Sequence, residues 1–444
     1  MLTKDQQYAF EQFKLKKNVF ISGPAGSGKT YLIKHFKSYC DNNNIKIELT
    51  ALTGIAAYLL SNAKTIHSWA CIGLGDKEPD EYITKIINFY PWKMKYWKIK
   101  VLVIDEISMM TPKLFELIDY ICKKVRNNNK PFGGIQMVFC GDFFQLPPVD
   151  KNNNIKYCFE SNLWDETINE TIILREIKRQ KDKIFQTILN EVRLGNLSDE
   201  NIKLIQNRIN KNLNIGEIKP TEIYCYKNQV NKINNIELKK LKTDIYDFET
   251  STEIKKYGEK SHSESMIKYL CEQMDKDFPY EKNLKLAIGA QVMLLINKNT
   301  ELGLVNGSRG IITEFEDDIP IVKFINNIKI KIPAHEWEYK DKKCKIIKYQ
   351  FPLKLAWAMT VHKTQGCTLD LATIDIGNSV FEYGQSYVAL SRVKDLNSLS
   401  IKNFDYTSIK THPKVIEFYE KINKEYCTNI EKTYTLLDKW CLSN

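Results

Sequence analysis

A glycine-rich segment near the start of the sequence has the residue types that bind nucleotide phosphates. It follows the pattern G-x-x-x-x-G-K-T and lies between an apolar strand-like run and a helical one. Glycines let successive backbone N–H groups face phosphate oxygens, and the helix N-terminus adds positive partial charge. The lysine can hold the terminal phosphates, and the threonine hydroxyl can ligate Mg²⁺. The predicted nucleoside triphosphate site contains Gly23, Ala25, Gly26, Ser27, Gly28, Lys29 and Thr30.

Two adjacent carboxylates follow a second apolar run, Val101–Ile104. Phosphoryl transfer to water requires an acid that orients the metal and a group that positions or deprotonates the water. Asp105 suits the first role and Glu106 suits the second. Acidic pairs are usually solvated surface, but a pair that ends a run of four aliphatic residues indicates a catalytic site.

Three later segments add polar side chains to this set. Gln145 lies in Gly141–Pro148, directly after an apolar strand, where an amide can bridge the γ-phosphate and the part that moves after hydrolysis. Arg392 follows an apolar helical stretch, and a buried arginine aimed at a γ-phosphate stabilises transition-state charge. Thr360–Gly366 places a histidine, a lysine, a threonine and a glutamine before a glycine. Each segment alone would be ordinary, so the interpretation depends on their combination.

The apolar segments predict the sheets that position these side chains. In the first third, strand-like and helix-like segments alternate, which indicates a parallel sheet covered on both faces. A second alternating region starts near Thr167, contains a predicted helix over Leu174–Leu194, and resumes from Phe351 to about Phe404. The predicted strands of the two regions are 18–22, 45–49, 101–104, 135–140 and 221–225.

The chain between about Thr243 and Gln350 has a different character. A polar stretch rich in lysine and glutamate, without a clear strand, leads into a β-rich segment with a hairpin turn at Asn326-Asn327. This segment predicts a small β-barrel inserted into the second unit, with strands at 290–296, 310–315, 321–325 and 328–332. The sequence after about Thr407 predicts an amphipathic helix, with 419–423 on its solvated face.

Composition narrows the class of protein. The chain has 444 residues, is 43% hydrophobic and 27% charged, and carries a formal charge of +11, which excludes collagen, mucin stalks and disordered tails and permits a polyanionic partner. Eleven scattered cysteines without a C-x-x-C pair predict reduced thiols and no zinc site. The apolar runs are far shorter than the ~20 residues of a membrane span, and the N-terminus has no signal-peptide core or room for a transit peptide.

These segments occur in the order found in superfamily 1 helicases of the PIF type, in the same broad group as the RecD helicases. Leu2–Gln6 resembles the opening Q-motif, in which Gln6 would contact adenine. Leu174–Gln180 resembles a segment peculiar to the family, in which Arg179 would be an arginine finger; Lys178 stands where the family usually has an aromatic residue. Thr53–Ala57 and Thr65–Trp69 resemble the family's two strand-gripping motifs, and Gly303–Ser308 resembles its inserted barrel. His362–Gly366 and Ala389–Arg392 resemble its last two motifs.

The resemblance implies an α/β fold with two RecA-like parallel-sheet motor domains in tandem. The first would span 1–166, with a strand-separating wedge inserted at about 70–98 that carries loop or hairpin residues. The second would comprise 167–242 and 351–444. Residues 243–350 would form an inserted helical arm and a small β-barrel. An aromatic cluster within or beside the wedge is expected to pack in the core or the wedge itself, and comprises Tyr90, Trp92, Tyr96 and Trp97.

The implied activity is ATP- and Mg²⁺-dependent 5′-to-3′ movement on single-stranded DNA with duplex unwinding, in replication, repair, recombination or telomere maintenance. The implied catalytic residues are Lys29, Asp105, Glu106, Gln145, Arg179 and Arg392, with Thr30 and Asp105 at the metal. The implied strand contacts are Thr53, His67, Trp69, His362, Lys363 and Thr364. Core packing is the alternative for the histidines and the tryptophan, since such side chains also stack in protein interiors.

The expected partners are single-stranded and forked DNA, without a membrane. The motor is expected to act as a monomer, alongside replication or single-strand-binding proteins. An intracellular, reducing location is expected, with nucleus, cytoplasm and a viral replication compartment all open. Two alternatives to the helicase are a nucleic-acid-stimulated ATPase that clamps or translocates without unwinding, and a motor directed to RNA, because stacking and phosphate contacts serve both nucleic acids.

Overall fold

The computed structural model describes residues 2–60, 63–73, 75, 77–89, 97–149, 154–213, 217–258, 261–299, 301–340 and 343–424. The helices of these residues are α1 Lys4–Lys14, α2 Lys29–Asn42, α3 Gly54–Leu59, α4 Ile66–Ala70, α5 Pro79–Phe89, α6 Pro112–Arg126, α7 Leu163–Thr167, α8 Lys183–Leu194, α9 Asp199–Gln206, α10 Lys227–Lys240, α11 Glu264–Asp277, α12 Val361–Thr364, α13 Gln385–Leu390 and α14 413–424. The strands are β1 Val19–Ser22, β2 Ile47–Ala51, β3 Lys64–Thr65, β4 Val101–Asp105, β5 Gln136–Gly141, β6 Glu170–Ile173, β7 Thr221–Tyr224, β8 Ile245–Glu249, β9 Ser251–Lys256, β10 Asn283–Ala287, β11 Gln291–Leu294, β12 Arg309–Glu316, β13 Ile319–Phe324, β14 Lys329–Lys331, β15 His335–Lys340, β16 Cys344–Gln350, β17 Leu353–Leu355, β18 Ala358–Thr360, β19 Ala372–Ile376 and β20 Leu399–Phe404.

The first motor unit is built on a six-stranded parallel sheet in the order β3-β2-β4-β5-β1-β6. Its central strands are buried along their whole length, as in β1 and β4, because helices cover both faces of a parallel sheet. The four strands predicted from apolar runs in this region are confirmed. The carboxyl ends of β1, β4 and β5 therefore meet at one edge, where the phosphate loop, the carboxylate pair and Gln145 follow.

The sixth strand alters the predicted division of the chain. β6 pairs with β1 in the first sheet, so a boundary at residue 166 falls one strand too early. The helix predicted over Leu174–Leu194 begins only at Lys183, where Asp182 caps α8 by accepting a hydrogen bond from the backbone of Phe185. Residues 174–182 instead form an irregular connection between the two units, with a bend at Lys178 and Arg179.

The last described helix also belongs to the first unit. Val415, Tyr419 and Ile422 of α14 are buried in the core that covers one face of the six-stranded sheet. The prediction that 419–423 is a solvated face is therefore wrong, because the apolar stripe of this helix has a sheet to pack against. The chain thus leaves the first unit after β6 and returns to it at α14.

The second motor unit has a four-stranded parallel sheet in the order β18-β7-β19-β20. Helices α8 and α13 pack beside it, with Phe185, Ile188 and Val388 in the same apolar core. This confirms a tandem α/β architecture whose second sheet is interrupted by an insertion between β7 and β18.

The insertion contains antiparallel sheets and the helix α11. One sheet has the order β14-β13-β12-β11-β17, another β15-β16-β9, and β8 pairs with β10. The predicted strands of the β-rich segment are confirmed, and Asn327 occupies the left-handed region at the hairpin. Strands β8 and β9 lie in the stretch predicted to lack strands. Their side chains are largely exposed, and both strands are held by pairing with β10 and β16.

The predicted wedge region contains a helix, α5, where a loop or hairpin was expected. Tyr82 and Ile86 of α5 are buried against the first unit. Trp97 is also buried, so its predicted packing role is confirmed, whereas Tyr90, Trp92 and Tyr96 lie outside the described residues. Across the part of the chain that the structure describes, no helix is both long and apolar enough to cross a membrane.

Candidate active site and strand-binding surface

The phosphate loop joins β1 to α2 in the predicted position. Gly26 and Gly28 have φ angles of +82° and +87°, which side-chain-bearing residues rarely adopt. An added Cβ at Gly28 would also lie 2.6 Å from the Gln6 amide nitrogen. The Lys29 ammonium donates to the carbonyls of Gly23 at 2.6 Å and Pro24 at 3.2 Å, so the loop itself holds this charge at the phosphate position.

Gln6 is buried against this loop. Its side chain and that of Thr3 cap α1 reciprocally, and its amide donates weakly to the carbonyls of Ser27 at 3.3 Å and Gly28 at 3.4 Å. The capping fixes Gln6 beside the loop. Its contact with adenine stays a prediction.

The carboxylate pair lies at the carboxyl end of β4. Glu106 has a left-handed φ of 58°, a strained conformation typical of functional sites, and its backbone N–H donates to the Asp105 carboxylate at 2.9 Å. Burial raises the pKa of both carboxyl groups. The positive charge of Lys29 partly offsets this rise in both, and the charge of Arg392 also lowers the pKa of Glu106. Asp105 and the exposed Thr30 supply hard oxygen donors to the same cleft, and no described lysine or arginine forms an ion pair with Asp105. These residues fit a Mg²⁺ ion.

Two arginines, the half-buried Arg179 and the buried Arg392, form the opposite wall. Arg392 is 2% exposed and donates to the carbonyls of Val388 and Thr364 and to the Ser391 hydroxyl. Arg179 donates to the Ser391 carbonyl at 3.2 Å. Burial and the nearby Arg179 lower the pKa of Arg392 to about 9. Among the described residues, no carboxylate lies within ion-pair distance of either guanidinium, so both charges face the cleft without a counterion.

The two walls enclose a cleft of about 730 Å³. It brings together the predicted nucleotide and catalytic residues, namely Ala25, Gly26, Gly28, Lys29, Thr30, Asp105, Glu106, Gln145, Arg179 and Arg392. Gln145 is 5% exposed. Its backbone carbonyl oxygen would lie only 2.5 Å from a Cβ added at Gly384, so the start of α13 packs directly against Gln145.

Hydrogen bonds across the cleft reveal site residues that the sequence analysis did not assign. The Ala25 N–H donates to the Tyr387 hydroxyl, and the Gln365 amide donates to the Glu106 carboxylate, each at 2.8 Å. Tyr387 and Gln365 both lie in segments singled out from sequence, but neither had an expected partner.

A second cross-unit contact was also missed. Arg193 of α8 makes two hydrogen bonds, at 2.8 and 3.0 Å, to the buried carboxylate of Asp142 beside Gln145. A buried, bidentate pair of this kind fixes the relative position of α8 and the end of β5. No local pattern could have indicated it, because the partners are 51 residues apart.

The predicted strand contacts divide between accessible and buried side chains. Thr53 caps α3 by accepting from the Ala56 N–H at 3.2 Å. His67 lines a second cleft, also about 730 Å³, between the first unit and the insertion, and burial lowers its pKa. Lys363 is exposed and approaches Glu281 at 3.4 Å, whereas burial lowers the pKa of the neighbouring His362.

Two of the predicted strand contacts have buried side chains in this structure. Trp69 is 6% exposed and packs against Trp97, with ring centroids 4.5 Å apart, which favours the alternative of core packing. Thr364 is fully buried, its hydroxyl donates to the Val361 carbonyl at 2.7 Å, and its own carbonyl accepts from Arg392. Thr364 therefore supports the arginine wall, and its contact with a strand stays a prediction.

A phosphate loop and carboxylate pair on one parallel-sheet unit, facing arginines on a second, define a two-unit motor driven by nucleoside triphosphate hydrolysis. Residues 1–203 match the model of the PIF1-like helicase family, and residues 270–315 match that of the DNA helicase Pif1 2B domain. The chain belongs to the PIF1-like helicase family.

Related proteins cover nearly the whole chain. Protein 030L of Invertebrate iridescent virus 6 is 34% identical over 98% of both chains. The ATP-dependent DNA helicase PIF1 of Xenopus laevis is 33% identical over 99% of this chain and 67% of its own length. Pif1 from Bacteroides sp in complex with ADP-AlF4 is similar with a TM-score of 0.80, at 29% identity over 96% of this chain and 98% of that one. Bacteroides Pif1 bound to ssDNA has a TM-score of 0.67, at 30% identity and the same coverage.

Proposed function

We propose that this PIF1-family helicase hydrolyses ATP between its motor units, moves 5′-to-3′ along single-stranded DNA and separates duplex ahead of it. The observation that carries the proposal is the pair Arg179 and Arg392, which lie opposite Lys29 and Glu106 without a carboxylate partner among the described residues. A buried cation such as Arg392 is costly unless an anion meets it, and the γ-phosphate of ATP is such an anion.

Binding begins at the phosphate loop. Lys29 exchanges the carbonyls of Gly23 and Pro24 for the terminal phosphate oxygens, which are stronger acceptors because they are charged. Thr30 and Asp105 would hold Mg²⁺, which would neutralise charge at the phosphates. The guanidinium groups of Arg179 and Arg392 then approach the γ-phosphate, and this draws the second unit onto the first.

Hydrolysis uses the residues beside the γ-phosphate position. Glu106 orients the attacking water and takes its proton, since its carboxylate is the buried base of the cleft. Gln145 contacts the γ-phosphate. When that phosphate leaves, Gln145 shifts the start of α13, because its backbone carbonyl is packed against Gly384 there. The arginines lose their anion when phosphate leaves, and the cleft opens.

The single strand lies across both motor units. Thr53 and His67 come from the first unit, and His362 and Lys363 come from the second, so closure and opening of the cleft change the distance between the two sets of contacts. The similar Bacteroides Pif1 bound to ssDNA supports single-stranded DNA as the ligand. The same proposal includes a motor that acts as a monomer, forked DNA as a further substrate, and replication or single-strand-binding proteins as partners. It also includes a nuclear, cytoplasmic or viral replication compartment as the location.

Strand displacement with tailed duplexes tests the proposal. Duplexes carry only a 5′ tail or only a 3′ tail, in matched DNA and RNA versions, with Lys29→Ala as the inactive control. ATP-dependent unwinding of the 5′-tailed DNA alone supports the proposed activity and polarity. Preference for the 3′ tail contradicts the polarity, unwinding of RNA contradicts the substrate, and stimulated hydrolysis without displacement favours a clamp or translocase.

A further inference from the structure

The amide of Gln365 crosses the cleft to the proposed water-activating carboxylate. Its Nε2 donates to the Glu106 carboxylate at 2.8 Å, and the two residues are 259 positions apart in the chain. Gln365 is only 7% exposed, so water competes weakly for this hydrogen bond. The contact therefore joins the catalytic edge of the first unit directly to the second unit.

Gln365 also follows the proposed strand contacts without a flexible spacer. The preceding helix α12 carries His362 and Lys363, is capped by Thr360 at the Lys363 N–H, and is fixed by the fully buried Thr364. Because α12 is a single short turn and Gln365 follows Lys363 by two residues, a shift of this turn as a unit moves both side chains.

The residue after Gln365 lies against the first motor unit. Gly366 has a φ of +79°, and a Cβ there would lie 3.1 Å from the Leu59 side chain. Leu59 is the last residue of α3, the helix that Thr53 caps. The segment that holds Glu106 thus contacts strand-gripping elements of both motor units.

The hydrogen bond bears on the role of Glu106 as a base. It holds the accepting oxygen, Oε2, towards the second unit and makes that oxygen a weaker proton acceptor, because a donated hydrogen bond stabilises the charged carboxylate. Hydrogen bonds to charged groups contribute about 1.5–3 kcal/mol, which corresponds to roughly ten- to hundred-fold in a rate.

We propose that Gln365 is a positioning residue that holds Glu106 in an idle arrangement until a single strand binds beside Lys363. Strand binding shifts α12, withdraws the Gln365 amide and leaves Glu106 to orient water. This coupling rests on the proposed roles of Glu106 and Lys363, and it makes ATP hydrolysis dependent on nucleic acid.

The test compares the kcat and KM for ATP with and without saturating single-stranded oligonucleotide. Gln365→Met keeps the side-chain length and removes the amide; Gln206→Met changes an exposed glutamine of the same unit as the matched control. We expect Gln365→Met to raise the strand-free kcat about tenfold with little change in KM, and to reduce the stimulation by strand correspondingly. Gln365→Asn, which keeps a shortened amide, should give an intermediate stimulation.

Two results overturn the proposal. In one, Gln365→Met lowers kcat with and without strand, which makes Gln365 an aid to catalysis. In the other, folded Gln365→Met and Gln365→Asn keep the wild-type stimulation ratio. Failure of the proposed function is distinct, because then Glu106→Gln keeps turnover, or strand does not stimulate the wild-type enzyme at all.

Discussion

The Tyr387 hydroxyl accepts a hydrogen bond from the backbone N–H of Ala25 at 2.8 Å, so a side chain of the second motor unit is attached to the phosphate loop of the first. Tyr387 is 3% exposed, and burial raises its pKa to about 12, which keeps the phenol neutral near pH 7. It lies in α13, whose chain continues directly to Arg392. A shift of the phosphate loop is therefore transmitted to the helix that positions the arginine.

Removal of this hydroxyl should slow hydrolysis without abolishing ATP binding. Tyr387→Phe leaves the buried Ala25 N–H unpaired, and a hydrogen bond is worth about 0.5–1.5 kcal/mol, so we expect kcat to fall about two- to tenfold with a smaller change in KM. Steady-state ATPase assays measure both values. Tyr226→Phe, at a 49% exposed tyrosine of the same unit, is the control. Equal kcat values for the two variants would show that the contact does not couple the units.

Loss of the Glu106 carboxylate should separate binding from hydrolysis. In Glu106→Gln we expect ATP affinity to survive and single-turnover hydrolysis to fall by about 10²–10⁴, the usual contribution of a general base. Binding of a fluorescent ATP analogue and quenched-flow hydrolysis measure the two quantities, and Lys29→Ala serves as the binding-deficient control. Normal turnover in Glu106→Gln would remove this residue from the water-activating role.

Arg392 should be needed for turnover but not for folding. Arg392→Ala removes a buried charge that has no carboxylate partner among the described residues, so the unfolding temperature should not fall greatly. An arginine finger typically contributes 10³–10⁵ to phosphoryl transfer, and we expect DNA-stimulated hydrolysis to be lost on that scale. Near-wild-type turnover in a folded Arg392→Ala protein would contradict the two-walled site.

A buried lysine should make stability depend on pH. Lys354 in β17 is 7% exposed, and no described carboxylate lies within ion-pair distance of it. Burial lowers the pKa of Lys354 to about 8; the charge of Lys363 also lowers this pKa, whereas Cys367 and Glu281 raise it. The unfolded chain keeps this proton up to about pH 10.5, so between pH 8 and 10.5 it binds more protons than the folded chain. The free energy of unfolding therefore rises with pH across that window.

Replacement of this lysine should stabilise the protein at neutral pH. Lys354→Met removes the cost of the buried charge, at most about 3 kcal/mol, and we expect a higher unfolding temperature than wild type at pH 7. The difference should shrink as the pH approaches 10. Thermal unfolding of both proteins at the two pH values measures it, and an advantage that does not change with pH would refute the assignment.

Tyr419 should anchor α14 to the first unit. Its hydroxyl lies 2.5 Å from the Ser22 hydroxyl and accepts from the Phe143 N–H at 3.2 Å, while its ring stacks on Phe144 at 4.6 Å. We expect Tyr419→Ala to lower the free energy of unfolding by about 3–5 kcal/mol, as for other large aromatic truncations in a core. Urea denaturation measures this, with the 63% exposed Tyr406→Ala as the control. Equal losses in both variants would exclude a docked α14.

The nucleotide site could be predicted from sequence because its chemistry is local. The phosphate loop, Asp105 and Gln145 each follow an apolar strand, so residue type and spacing already specify their place at the sheet edge. Burial of single polar or aromatic residues was not predictable in the same way. Trp69 and Thr364 have types that suit a strand contact, but the tertiary packing around them decides which way they face.

Longer-range features of the fold were harder to predict. The largely exposed strands β8 and β9 gain their stability from pairing with β10 and β16, partners that the sequence pattern did not identify. The amphipathic pattern after residue 407 identified a helix but not the sheet that buries it. The cross-cleft contacts of Gln365 and Tyr387 join segments more than 250 positions apart, and no periodicity along one chain encodes such pairs.

The return of α14 to the first sheet means that the second motor unit is connected to the first at both of its ends. The incoming connection is 174–182, and the outgoing one ends at Thr411, whose hydroxyl donates to the Arg193 carbonyl at 2.8 Å. A body attached through two connections has fewer ways to move relative to its neighbour than a body on a single linker. The double attachment thus restrains how the second unit can turn as the cleft opens and closes.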